Sequence, residues 1–361
     1  MPAPPAIFPG PTTRFRRRRF GVLLALATAG SLLRADPPPV AEISPPLAAQ
    51  LVPLHAAIDG KDYPAALALS GRLLAAARPD SYDRFVLTEV RAQIFLNQGD
   101  LASAGPTLES ALQAGEAGHF IAPADRLELL RLLAQTHYQQ VMSGTATPTA
   151  RPAELDRALD CYRQWQAGTG PATTDTALLG ASILYQRAVA GGATTPADRT
   201  RLQSAIAETD RGLALTVKPT ENLLVLKAAA LQQLGDDGAA ADQLELLVAL
   251  QPGNPGYWRQ LSSIYLNAAA AATDAREIRR LNHRALLTLT RARSHGLLTE
   301  PRSTFTLACL YFNLRQYPVA ADLLGALRQS NEVPTAELER LGQALAALPP
   351  DRPDPSAPVH P

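Results

Sequence analysis

The chain has 361 residues, of which 46% are hydrophobic and only 5% aromatic, a share that excludes disorder throughout. Its formal charge of +1 is uneven: residues 1–35 hold six Arg (Arg14, Arg16 to Arg19, Arg34) and no acid, leaving 28 bases against 33 acids in the rest. A mildly acidic body excludes nucleic acid as the partner, because phosphate binding needs a basic face. The apolar residues are mostly Ala and Leu, strong helix formers, while strand-favouring types are scarce, so an all-α fold is expected.

In chain order, Arg16-Arg17-Arg18-Arg19 precedes the apolar run Phe20–Leu33 and then Arg34-Ala35-Asp36 with three prolines. A basic stretch, a short apolar core and small residues describe a secretory signal over 1–35, with Ala29 or Ala35 as the cleavage position. The core falls short of the roughly 20 residues that span a bilayer. A cleaved Sec signal therefore ranks ahead of a twin-arginine signal through Arg17-Arg18-Arg19-Phe20, and ahead of an uncleaved anchor. Residues 36–46 read as a Pro-rich linker, and the mature protein is expected in the periplasm.

From residue 47 to 348 the chain repeats with a period of about 34 residues. The clearest unit, 221–254, carries Leu224, Ala228, Leu231, Gly235, Ala240, Leu244, Leu247 and Pro252. Small residues at the eighth and twentieth places let two helices approach closely. Gly at the fifteenth suits the turn between them, because it tolerates positive φ. Units 47–80, 85–118 and 301–334 share this frame through Tyr63 and Ala66, through Ala92, Gly99-Asp100 and Ala104, and through Ala308, Tyr317 and Ala320. Units near 123–170 and 174–218 are degenerate, with long connections at Ser143–Pro152 and at Gly191-Gly192-Ala193-Thr194-Thr195. Unit 255–300 carries an Ala-rich extension at Ala268–Arg276. Residues 335–348 form an amphipathic cap, and 349–361, with six prolines in thirteen residues, a disordered tail. Pro106 falls inside a predicted second helix.

Trp258-x2-Leu261-Ser262-x2-Tyr265 resembles the opening of tetratricopeptide repeats, with Ser in place of Gly. That resemblance implies a right-handed α-solenoid of about seven helix-turn-helix units with a carboxy-terminal capping helix. A longer string continues through Leu286, Ala292, Gly296-Leu297-Leu298-Thr299-Glu300, Leu307-Ala308-x-Leu310-Tyr311 and Tyr317-Pro318-x-Ala320-Ala321-x-Leu323-Leu324. It resembles the carboxy-terminal part of tetratricopeptide proteins encoded beside ExbB, ExbD and TonB. The resemblance implies a periplasmic adaptor in TonB-linked envelope transport.

Enzyme chemistry has no foothold in the sequence: H-E-x-x-H, paired C-x-x-C, G-x-S-x-G and phosphate-cradling glycine loops are all missing. The six His are dispersed without ligand spacing, so no metal or cofactor is expected. Cys161 and Cys309 fall in the third and seventh helix pairs and read as free thiols. One pattern points to binding. The thirteenth place of successive first helices holds Asp59, Asn97, Gln139, Gln186, Gln233, Asn267 and Asn313, six of them carboxamides. First helices line the concave face of such a solenoid, and a carboxamide offers donor and acceptor together, which suits an extended peptide backbone. The simpler reading, that polar residues finish each helix before its turn, ranks ahead of it. Arg259, Gln260, Cys309 and Phe312 are expected on the same surface, while for Tyr138 and Tyr185 internal packing ranks ahead of lining the groove. The predicted partner is a protein or peptide of the cell envelope. An assembly factor for envelope polysaccharide or secretion is the alternative, and a glycan-acting enzyme the remote one.

Overall fold

A computed structural model describes residues 42–168, 172–193, 195–329 and 333–348. The signal segment 1–35 and the tail 349–361 lie outside the described residues. Fifteen α-helices and no strand occur among the described residues, arranged as seven consecutive helix pairs and a terminal helix. The pairs are α1 (Pro45–Asp59) with α2 (Tyr63–Ala76), α3 (Tyr82–Gln98) with α4 (Leu101–Ala117), and α5 (Pro123–Met142) with α6 (Arg151–Ala167). They continue with α7 (Thr174–Ala190) and α8 (Pro196–Ala214), α9 (Glu221–Leu234) and α10 (Asp237–Leu250), α11 (Pro255–Ala271) and α12 (Ala275–Ser294). The last pair is α13 (Pro301–Asn313) and α14 (Tyr317–Leu327), followed by α15 (Thr335–Ala346). The chain divides into two compact bodies, one reaching Ala172 and including Val189–Gly191, the other holding Thr173–Ala188 and everything from Gly192 onward.

Four of the pairs turn by one recipe. Gly99 N–H donates to Leu96 O and Asp100 N–H to Phe95 O; in the fifth pair Gly235 N–H donates to Gln232 O and Asp236 N–H to Leu231 O. These bonds close the orphan carbonyls at the end of the first helix. Asp100 and Asp236 then cap the next helix, their side chains accepting from Ser103 N and Ala239 N. The first and seventh pairs make the same two backbone bonds with a basic residue at the left-handed position, Lys61 (φ 59°) and Arg315 (φ 64°), where the other two have Gly99 (φ 76°) and Gly235 (φ 79°).

Close approach follows from size. Ala92, Ala104, Ala228, Ala240, Ala308 and Ala320, the eighth and twentieth residues of their units, are all buried. In the second body one apolar cluster runs through Leu224, Leu244, Trp258, Leu261, Leu286 and Leu307 without a break between pairs. At the carboxy-terminal end α15 lays Leu338 and Leu341 against Leu324 and Leu327 of α14. These contacts remove apolar surface that the last pair would otherwise leave in water.

The degenerate third pair uses polar chemistry instead. Gln140 of α5 is buried, and its Nε2 donates to Leu101 O in the first turn of α4. Pro106, five residues on, lacks the N–H that would bond Ala102 O, so α4 is one backbone bond short beside this tie. Gly105 leaves the space: a Cβ there would lie 3.1 Å from Gln140 Nε2. The backbone oxygen of Gln140 meanwhile accepts from Thr145 Oγ1 and Ala146 N–H, which gives the connection to α6 its shape. Gln140 thus ties the proline-bearing helix to the next helix pair.

Candidate functional site

In the second body the first helices α7, α9, α11 and α13 lie side by side, tied by side chains. The Tyr185 hydroxyl is hydrogen-bonded to the Gln233 side chain. Gln260 Nε2 donates to Gln232 Oε1 at 3.0 Å, and Tyr257 Oη donates to Glu221. Arg259 reaches Glu300, the residue before α13, at 3.0 Å. The predicted ladder therefore lies on a face whose neighbours are joined by polar contacts. Arg259 and Gln260 are exposed on it, as the sequence predicts, yet each already holds a partner from an adjacent first helix or its cap.

The carboxamides divide into two sets. Gln139, Gln186 and Asn267 have side chains without a hydrogen bond among the described residues, and Asn267 is exposed. The others are occupied: Asn97 Oδ1 accepts from Gln93 Nε2 at 2.8 Å one turn earlier, Gln233 holds Tyr185, and Asn313 Nδ2 donates to Asn282 Oδ1 of α12 at 3.3 Å. Asn282 is itself buried and donates to Ile278 O, so Asn313 reads as a tie between α12 and α13. Asp59 is exposed and also engaged. Phe312 and Cys309 belong to packing: both are half-buried against the α14–α15 cluster, and the Phe312 ring meets Tyr317 edge-on at 5.6 Å. Tyr138 and Tyr185 are buried.

Thiol and imidazole chemistry stays internal. Cys161 and Cys309 are free, and burial pushes the Cys161 thiol up to about 11, with Glu109 and Asp160 adding to the shift. A thiol so held is a poor nucleophile. Sequence spacing gave no hint of His137, which is 2% exposed with Nδ1 2.8 Å from Glu154 of α6. Its Nε2 lies 3.2 Å from Glu109 of α4, outside hydrogen-bond geometry. Only the three-helix junction brings these residues together. Glu89 of α3 faces Asp125 of α5, and its carboxyl is pushed up to about 7, first by burial and then by that neighbouring charge. Among the described residues no group of three or more His, Cys, Asp or Glu is placed to hold a metal ion. None of the described helices is long and apolar enough to cross a membrane.

Paired helices joined by repeated turns, small residues at the crossings and a terminal covering helix define a tetratricopeptide-like α-solenoid. No protein-family model and no curated protein matches the chain. Among solved structures it is similar to a tetratricopeptide repeat protein from Parabacteroides merdae (13% identity, covering 83% of this chain and 98% of that one, TM-score 0.42). It is similar also to the S. pombe nuclear import adaptor Nro1 (11%, 73% and 97%, 0.46) and to PilW, a type IV pilus biogenesis factor (17%, 71% and 97%, 0.38). Scores of this size carry no functional inference, and the fold rests on the helix pairing itself.

Proposed function

We propose that this chain is an exported, non-catalytic scaffold whose first-helix face holds a segment of a partner protein in the cell envelope. The observation that carries the reading is the pair Gln186 and Asn267 of the second body: carboxamides at the same place of their repeats, with no side-chain partner among the described residues, a place that Gln139 fills in the first body. Each can both donate to and accept from an extended backbone. Export rests on the basic and apolar pattern of residues 14–35. The TonB-linked setting rests on the resemblance of the string from Trp258 to Leu324. Most residues of that string are core (Trp258, Leu261, Leu307, Leu324), so their first role is packing.

Site-specific photocrosslinking tests the face. A photoreactive residue at Asn267, on the second body, should capture an envelope protein in intact cells, whereas one at exposed Glu339 of α15 should not. Replacing Gln186 and Asn267 by Ala should weaken capture at a neighbouring reporter by roughly tenfold while leaving the melting curve within about 0.5 kcal/mol. Equal capture at both positions, or by the double variant, overturns the assignment. Amino-terminal sequencing of the envelope fraction checks export, and an intact Met1 in the cytoplasm refutes it.

A further inference from the structure

On the opposite side from the first-helix face, the second helices α10 and α12 wall a groove whose floor is α11. Glu245, Val248, Tyr265, Arg284, Leu287 and Arg291 line a cavity of about 500 Å³ there. A second cavity of about 420 Å³ adjoins it, sharing Tyr265 and Arg284 and continuing past Ala268 of the Ala-rich extension. The methyl side chains of Ala268, Ala271 and Ala272 keep that end open. The floor is apolar, through Leu261, Trp258 and Ile264, and Leu287 stands exposed on the rim.

The two walls differ in what is already satisfied. On α10 the one carboxylate of the first cavity, Glu245, accepts the Tyr265 hydroxyl at 2.6 Å. On α12 Glu277 is taken by Arg280 through two bonds, at 2.6 and 2.7 Å. Arg284 and Arg291 remain. Arg284 stacks over the Tyr265 ring at 5.4 Å and lies within electrostatic reach of Glu277, but neither guanidinium forms an ion pair with a carboxylate among the described residues. They stand seven residues apart on one helix, about 10.5 Å at the α-helical rise. Of the other charged residues in the groove, Arg280 is spent on Glu277 and Asp237 stands at the far end in the second cavity, so the unpaired charge beside the apolar floor of the first cavity is that of Arg284 and Arg291.

We propose that this outer groove is a second docking site, which takes an amphipathic helical segment of an acidic partner protein. The segment's apolar ridge would fill the cavity over α11, and carboxylates two helical turns apart would pair with Arg284 and Arg291. Bidentate carboxylate pairing is what a planar guanidinium does best, and Arg and aromatic floors recur where binding energy concentrates. The site is independent of the first-helix face and of the reading placed on it.

The test uses the full chain and a fluorescein-labelled synthetic helix of about fifteen residues, with Leu on one face and Glu at seven-residue spacing, followed by anisotropy. The control peptide carries Lys in place of Glu. Binding of the Glu peptide should weaken at least tenfold in Arg284→Gln/Arg291→Gln and in Ala249→Trp, which fills the groove from α10 without touching charge. It should be unchanged in Gln186→Ala/Asn267→Ala, so failure here and failure of the first-helix reading are told apart. Melting curves of all variants confirm folding. Equal binding of the Glu and Lys peptides overturns the proposal, as does undiminished binding by the Arg double variant. So does preferential binding to phosphatidylglycerol vesicles that is lost in that same variant, which would make the arginine pair a lipid-facing one.

Discussion

Helices α9 and α10 meet through Leu224, Ala228, Leu231, Ala240, Leu244 and Leu247, and no polar side chain of that pair is buried. Helices α5 and α6 reach the same antiparallel arrangement with Thr136, His137 and Gln140 buried in α5 and with bulky Tyr162 and Trp165 stacked at 5.7 Å in α6. The first pair is held by small residues, a glycine turn and an aspartate cap. In the second, specific hydrogen bonds and rings occupy the places that the repeat leaves empty. Apolar packing tolerates exchange among residues of similar volume, whereas each buried polar group must keep its own partner. That difference explains why one pair reads clearly as a repeat and the other does not.

The largest effect that sharpens the contrast concerns charge held between α3 and α5. The Glu89 carboxyl, facing Asp125, is raised from 4.5 to about 7, so between those values the folded chain keeps a proton that the unfolded chain releases. Stability from this group is therefore fullest at low pH, falls as pH rises through that window, and levels off above it. Glu89→Gln should stabilise the protein at pH 8 by up to about 3 kcal/mol and change little at pH 4. Urea titrations at the two pH values check this, and an equal effect at both would show that Glu89 is not held protonated.

Next in size is Gln140→Ala. It removes the buried donor to Leu101 O and should cost about 1–2 kcal/mol in thermal unfolding, through the lost bond and the space left behind. An unchanged melting temperature would mean that the third pair does not depend on this tie. The smallest effects come at the turns. Gly235→Ala should destabilise by about 1 kcal/mol, since nothing lies within 4 Å of the added Cβ and only the left-handed backbone opposes it. Arg315→Gly, at the equivalent turn of the seventh pair, should gain about as much. Opposite signs in paired unfolding curves are the expected result, and a loss in both would place the effect elsewhere than φ.

The repeat pattern behind the candidate face, though not its use in binding, was legible before the structure. The thirteenth-place carboxamides were visible because they occur once per repeat, and Arg259 and Gln260 do stand exposed there. What could not be read was which of them are spent. Gln233 is engaged by Tyr185 and Asn313 by Asn282, partners that lie 48 and 31 residues away. No local signal separates them from Asn267, which is free. Phe312 reads as an exposed anchor from its place in the unit and proves to be half-buried because α14 and α15 fold against it.

By itself the sequence determined the helices, their pairing and the crossings, because all three depend on residues close in the chain: Ala at the eighth and twentieth places, Gly-Asp at the turn, Leu at helical spacing. Those are local choices of size and backbone conformation, and they repeat. The tertiary structure alone decided the rest: the junction of buried His137 with Glu109 and Glu154, the tie from Gln140 to Leu101 O, and the groove where Arg284 and Arg291 form no ion pair. Hydrogen bonds and charge pairs act over a few ångströms between residues tens of positions apart, and they enter the repeat only once.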